Sequence, residues 1–172
     1  MLTNIDLEQL CHHYGVPLQV CCMRNELPDK IKDGHYIINL DSSNHSSGTH
    51  WTALTIHGKE AAYFDSFGAL PCVELIAFCK KRHGMKMVFN NWVIQDLDSD
   101  NCGSFCLALL LFLKRHPERP LFNAFNWFVN GFSGNTKEND SILASFFKET
   151  PSKGGIPKPI QRLIKKAFRG SM

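Results

Sequence analysis

QDLDSDNCGSFC, residues 95–106, runs through a short polar loop to a cysteine and continues without a break into the apolar LALLLFLK. Leucine and alanine favour helix, so the run predicts a buried helix that opens at or near Cys102. The first turn of a helix leaves backbone N–H groups unpaired and carries the positive end of the helix dipole. Both stabilise a thiolate, the form of cysteine that attacks carbonyls. Gly103 allows a substrate backbone to approach closely and leaves N–H groups free for a developing oxyanion. Gln95, seven residues before the cysteine, can aim an amide N–H at the same oxyanion without any change of protonation. The plain alternative is a surface glutamine at a strand end. Cys106, one turn beyond Cys102, reads as a packed small residue, because a thiol in mid-helix has no terminal N–H groups around it.

A cysteine nucleophile needs a base. WTALTIH and EAAYFDSF are strand-like runs on either side of Gly58-Lys59, the pattern of an antiparallel hairpin. His50 precedes the first run and Asp65 lies near the far end of the second, and antiparallel pairing brings those two ends together. His50 is then the candidate general base and Asp65 the group that orients it. Taken singly, His50 also fits an ordinary loop and Asp65 an ordinary turn. Their pairing is what argues for chemistry.

The rest of the chain frames this centre. With 172 residues and 44% hydrophobic content, residues 1–150 are expected to form one domain with its own core, followed by a linker and tail at 151–172. No apolar run reaches the length of a membrane span, and the start lacks a basic-then-apolar leader. The expectation is an intracellular protein without membrane insertion. Seven cysteines, without C-x-x-C pairs, read as buried free thiols rather than a disulfide framework or a zinc cage. The adjacent His12 and His13 point to different faces of a helix with no further ligand at suitable spacing, so no metal is expected.

Ile5, Leu7, Leu10, Cys11 and Tyr14 predict a first helix, capped by Asn4 or Asp6 and stopped by Gly15. Val16 to Gly34 reads as irregular, HYIINL as a strand, and DSSNHSSGT as a polar loop that rims a site. Pro71 opens a helix with Val73, Ile76, Ala77 and Lys80 at helical spacing, and KMVFNNWVIQ resumes strand character and delivers Gln95. FNAFNWFVNGF and DSILASFF read as helices that cover the core. Base-stacking platforms fit less well, because no basic residue interrupts the first of these runs.

No acid follows Glu149, while Lys153, Lys158, Arg162, Lys165, Lys166 and Arg169 accumulate there. Ile160, Leu163, Ile164, Ala167 and Phe168 share one helical face opposite the cations. Such a basic amphipathic helix suits nucleic acid, a membrane surface, or docking on its own domain. Gly154-Gly155 lies in the preceding linker, where a glycine-directed protease would find a site for self-cleavage and a plain flexible spacer is the simpler reading.

GTHW, YFDSFG and QDLDSDNCGSFC, in this order and at these separations, resemble the adenovirus-proteinase (adenain-like) family and related proteases of Polinton/Maverick-type viruses. SUMO-deconjugating cysteine proteases are more distant relatives with the same order of His, acid, Gln and Cys. The likeness runs from His35 to about Lys114. It implies Cys102 as nucleophile, His50 as general base, Asp65 as its orienter and Gln95 as oxyanion donor. Trp51 would be the aromatic wall of a narrow cleft that favours glycine beside the bond cut. The fold implied is α+β, a central and mostly antiparallel sheet carrying His50 and Asp65, with the nucleophile helix packed against it. The catalytic arrangement would be papain-like in circularly permuted order.

The activity implied is that of a viral or transposon-encoded cysteine endopeptidase. It would cleave capsid or core precursors at glycine-containing sites, as a monomer, in the host nucleus or the virion, with no cofactor required for chemistry. Members of the family take DNA and a short basic peptide as activators. Cys79 is the nearest counterpart of the cysteine that captures the peptide, and the basic tail is the segment that would act in cis. Removal of ubiquitin-like modifiers is the alternative enzymatic reading. A nucleic-acid- or membrane-binding module on an inactive protease fold is the non-enzymatic one, against which stand all four catalytic residue types.

Overall fold

The computed structural model describes residues 1–45, 48–145 and Arg162. Its centre is a five-stranded sheet in the order β1-β2-β3-β4-β5. The strands are β1 (Leu18–Met23), β2 (Gly34–Asn39), β3 (Trp51–His57), β4 (Glu60–Phe64) and β5 (Lys86–Phe89). The inner strands β2, β3 and β4 pair antiparallel, and β1 and β5 run parallel to their neighbours at the two edges. The sheet is therefore mixed, within an α+β fold. Gly58, with φ +58, makes the tight β3–β4 turn, whereas α2 (Val73–Lys80) carries the chain back across a face between β4 and the parallel β5.

Both faces are covered. Tyr36, Ile38, Leu54, Ile56, Ala61 and Tyr63 pack with Leu75, Phe78 and Cys79 of α2. Ile37, Ala53, Ala62 and Phe64 meet the other helical layer, built from α1 (Asn4–His13), α3 (Cys102–Arg115) and α4 (Leu121–Asn130). Two buried faces explain why β3 and β4 read as near-continuous apolar runs rather than alternating ones. α3 is buried along nearly its whole length, which accounts for its lack of a polar face. Fully buried Phe105, Phe125 and Phe128 bind this layer together, each contributing about 2–3 kcal/mol of apolar burial.

Several local expectations are corrected. The stretch after Val16 is not irregular throughout, because LQVCCM forms β1 against β2. The cap of α1 is Thr3, in a capping box with Asp6, rather than Asn4 or Asp6, and Ile5 is exposed. On α2 the buried residues are Leu75, Phe78 and Cys79, while Val73 points to solvent. β5 ends at Phe89, so a loop delivers Gln95. α5 begins at Thr136, ahead of the aromatic run, and extends to Ser145. No helix among the described residues is long and apolar enough to cross a membrane. The boundary at 150, Gly154-Gly155, Lys153, Lys158, Lys165, Lys166 and Arg169 lie outside the described residues, and Arg162 is exposed.

Candidate active site

Register places the first pair. Ala53 faces Phe64 across the β3–β4 ladder, so the residue before β3 and the residue after β4 emerge at the same end of the sheet. There His50 Nε2 lies 2.9 Å from Asp65 Oδ1. Asp65 is fully buried and held on several sides. Its Oδ1 also accepts the Phe67 N–H at 2.7 Å, and the Tyr63 hydroxyl lies 3.5 Å from Oδ2, too far for an ordinary hydrogen bond. Asn90 clamps the backbone, accepting the Asp65 N–H at 3.1 Å and donating to the Asp65 carbonyl at 2.6 Å. The ring of Phe67 stacks on His50 with centroids 4.7 Å apart. The imidazole is thus fixed at its edge and on its face.

Cys102 is the first residue of α3, as the sequence predicts, and is 2% exposed. Its Sγ accepts the Trp51 N–H at 3.5 Å, directly beside His50. A carboxylate only accepts, so His50 Nε2 carries a proton toward Asp65 and Nδ1 is the nitrogen left for exchange with the thiol. Nδ1 is buried and outside hydrogen-bonding geometry, yet Cys102 is close enough to act on the ring's charge. Burial disfavours the imidazolium, but the Asp65 hydrogen bond and charge together with Cys102 outweigh it and raise the His50 pKa from 6.5 to about 9. An imidazolium beside the sulfur can return a proton to a departing amine.

Gln95 is fully buried, not on the surface. Its Oε1 accepts from the Ser66 hydroxyl at 2.7 Å, and its Nε2 donates to the Ser99 carbonyl at 2.7 Å. Trp51 is 4% exposed and its Nε1 donates to the Leu2 carbonyl at 2.8 Å. Gly103 meets protein rather than open space: a Cβ there would lie 3.2 Å from Leu7 Cδ2 and 3.4 Å from Trp51 Cδ1. Its missing side chain serves the packing of α1 and Trp51 on α3. Ser66, Asn90 and Ser99 are polar loop residues that no motif in the sequence marks; Ser66 alone adjoins a candidate residue, Asp65, in the chain.

The other six cysteines are also free, and Cys106 is fully buried, donating to the Trp51 carbonyl at 3.3 Å. Burial holds the thiols of Cys11 and Cys22 up at about 12 and that of Cys79 at about 11, and raises Cys106 well above the ordinary thiol value. Cys79 lies in the core between α2 and the sheet, a poor position for capturing a peptide. Among the described residues no group of three or more His, Cys, Asp or Glu is placed to hold a metal. A hollow of about 350 Å³ flanks the loop before Cys102, lined by Asp96, Asp98, Asp100 and Asp140 among others, and one of about 240 Å³ adjoins Trp51, Cys21 and Cys22.

The fold and this site define an α+β protein with a buried cysteine and aspartate on either side of a half-buried histidine. No protein-family model matches the chain, and no curated protein matches it. Among solved structures it is similar to an AvrA deletion variant with IP6 and CoA, at 18% identity over 96% of this chain and 68% of that one, with a TM-score of 0.47. A likeness of that size does not extend to chemistry.

Proposed function

We propose that this chain is a cysteine endopeptidase, related to the adenovirus-proteinase family, that cleaves precursor proteins at glycine-containing sites. The observation that carries the reading is the His50 ring, bound through Nε2 to Asp65 with Nδ1 left toward Cys102 at the start of α3. The Cys102 thiolate adds to the carbonyl carbon of the scissile bond, and the carbonyl electron pair moves onto oxygen. Gln95 and the N–H groups opening α3 receive that oxyanion. As it collapses, the C–N bond breaks and imidazolium His50 gives its proton to the leaving amine. Water then attacks the thioester, His50 takes its proton, and the acid product leaves with the thiolate restored. Asp65 holds the ring and its charge throughout.

The family resemblance supplies the finer parts of the proposal: capsid or core precursors as substrates, DNA as an activator, and the basic tail as the segment that meets it. The test is labelling by a peptide vinyl sulfone ending in Gly-Gly, with Cys102→Ala and His50→Ala beside the native chain, with and without DNA. Labelling confined to Cys102 and slowed in His50→Ala is the expected result. Labelling that persists in Cys102→Ala, or none under either condition, refutes the reading.

A further inference from the structure

Resting on the acyl-transfer reading above, we infer that Ser66 is a positioning residue that holds the Gln95 amide as an oxyanion donor. Ser66 is fully buried and directly follows Asp65. Its hydroxyl donates to Gln95 Oε1 at 2.7 Å, and its carbonyl accepts the N–H groups of both Ile94 at 2.8 Å and Gln95 at 2.9 Å. One residue therefore grips Gln95 by backbone and by side chain.

The two ends of a glutamine amide are almost the same shape and are told apart only by their partners. Here the partners leave one choice. The Ser99 carbonyl, 2.7 Å away, can only accept, so the end facing it is the NH2. The opposite end is then the oxygen, and Ser66 must donate to it. An NH2 group has two N–H bonds. One is committed to the Ser99 carbonyl; the second has only the Ser99 hydroxyl at 3.5 Å, too long for an ordinary hydrogen bond. That second N–H is the donor available to an oxyanion. The Ser66 bond draws electron density toward Oε1 and so strengthens the donor at the other end of the amide. Without the hydroxyl the buried amide oxygen loses its partner, and the Ser99 carbonyl alone is left to hold the amide in place.

The test compares the native chain with Ser66→Ala, Gln95→Ala and the double variant. Two readouts are used: hydrolysis of a fluorogenic peptide amide ending in Gly-Gly, and alkylation of Cys102 by iodoacetamide, which forms no oxyanion. In Ser66→Ala, kcat should fall about tenfold to hundredfold with KM little changed, while the alkylation rate and its pH profile stay within about twofold of native. With Gln95→Ala already present, Ser66→Ala should cost less than about twofold more. Native hydrolysis by Ser66→Ala, a parallel loss of alkylation, or effects that multiply in the double variant would overturn the role of Ser66 alone. A native chain that alkylates at Cys102 but does not hydrolyse the peptide would overturn the endopeptidase reading and this inference with it.

Discussion

Asp65→Asn isolates a single charge. Asp65 Oδ1 accepts from Phe67 N–H at 2.7 Å as well as facing His50, so the asparagine oxygen is held in the same place and its NH2 falls on the side of Tyr63. The hydrogen bond to His50 survives and the carboxylate charge is gone. The rise of the His50 pKa from 6.5 to about 9 corresponds to about 3 kcal/mol in favour of the imidazolium. A pKa raised on folding stabilises the fold while the group is charged. This contribution is complete below pH 6.5, fades as pH rises, and is gone above about 9. Asp65→Asn should therefore lower stability at pH 6 by about 3 kcal/mol, a gap that narrows as pH rises toward the native His50 pKa. That figure is what remains after the burial penalty, and Cys102 supplies part of the gain that offsets it. Burial is then opposed only by Cys102 and the surviving hydrogen bond, and the ring pKa drops. The basic limb of kcat/KM for peptide hydrolysis, which follows loss of the imidazolium, should move down by at least about one pH unit. Urea unfolding at several pH values and an NMR titration of the His50 ring measure both effects. A native ring titrating near 6.5, or a basic limb unmoved in Asp65→Asn, would refute the reasoning.

Gly68 has φ +70, and a Cβ there would lie 2.6 Å from the Trp92 carbonyl group. Gly68→Ala should cost about 2–4 kcal/mol in urea unfolding and slow Gly-Gly vinyl sulfone labelling, because the loop after Asp65 is displaced from the one carrying Gln95. Thr3→Ala removes the acceptor for the Asp6 N–H and should cost about 1 kcal/mol, with Asp6→Ala adding less than its own single effect because both belong to one capping box. Deleting the chain after Thr150 removes all six basic tail residues read as nucleic-acid contacts. If all of them meet phosphate, the native chain's DNA affinity should fall with a log–log salt slope of about −5, and the deletion should abolish most of that slope. Equal slopes would remove the tail from DNA binding.

The parts of the site that were legible in the sequence depend on regular structure. His50 and Asp65 meet because a two-residue turn at Gly58-Lys59 sets the hairpin register, and Cys102 opens α3 because a polar loop gives way abruptly to leucines. The less legible parts depend on long-range pairing. LQVCCM has little alternation, and it becomes a strand only because β2 offers it a parallel edge. On α2, Val73 and Ile76 keep helical spacing with each other, yet the sheet receives Leu75, Phe78 and Cys79, which short-window periodicity could not decide. Ser66, Asn90 and Ser99 stand in loops without any period. Their importance comes from the need of buried polar groups for partners, which only the folded arrangement reveals.

The Trp51 backbone lies between two sulfurs, its N–H facing Cys102 and its carbonyl receiving Cys106, one helical turn apart. β3 and α3 are thereby keyed to each other like a rack and its pinion, with the residue just before Trp51 supplying the imidazole. Any slippage of α3 along its axis would break both contacts at once. Length changes during divergence should therefore accumulate in the loop between β2 and Thr49, while His50–Trp51 and Cys102–Cys106 stay free of insertions and deletions.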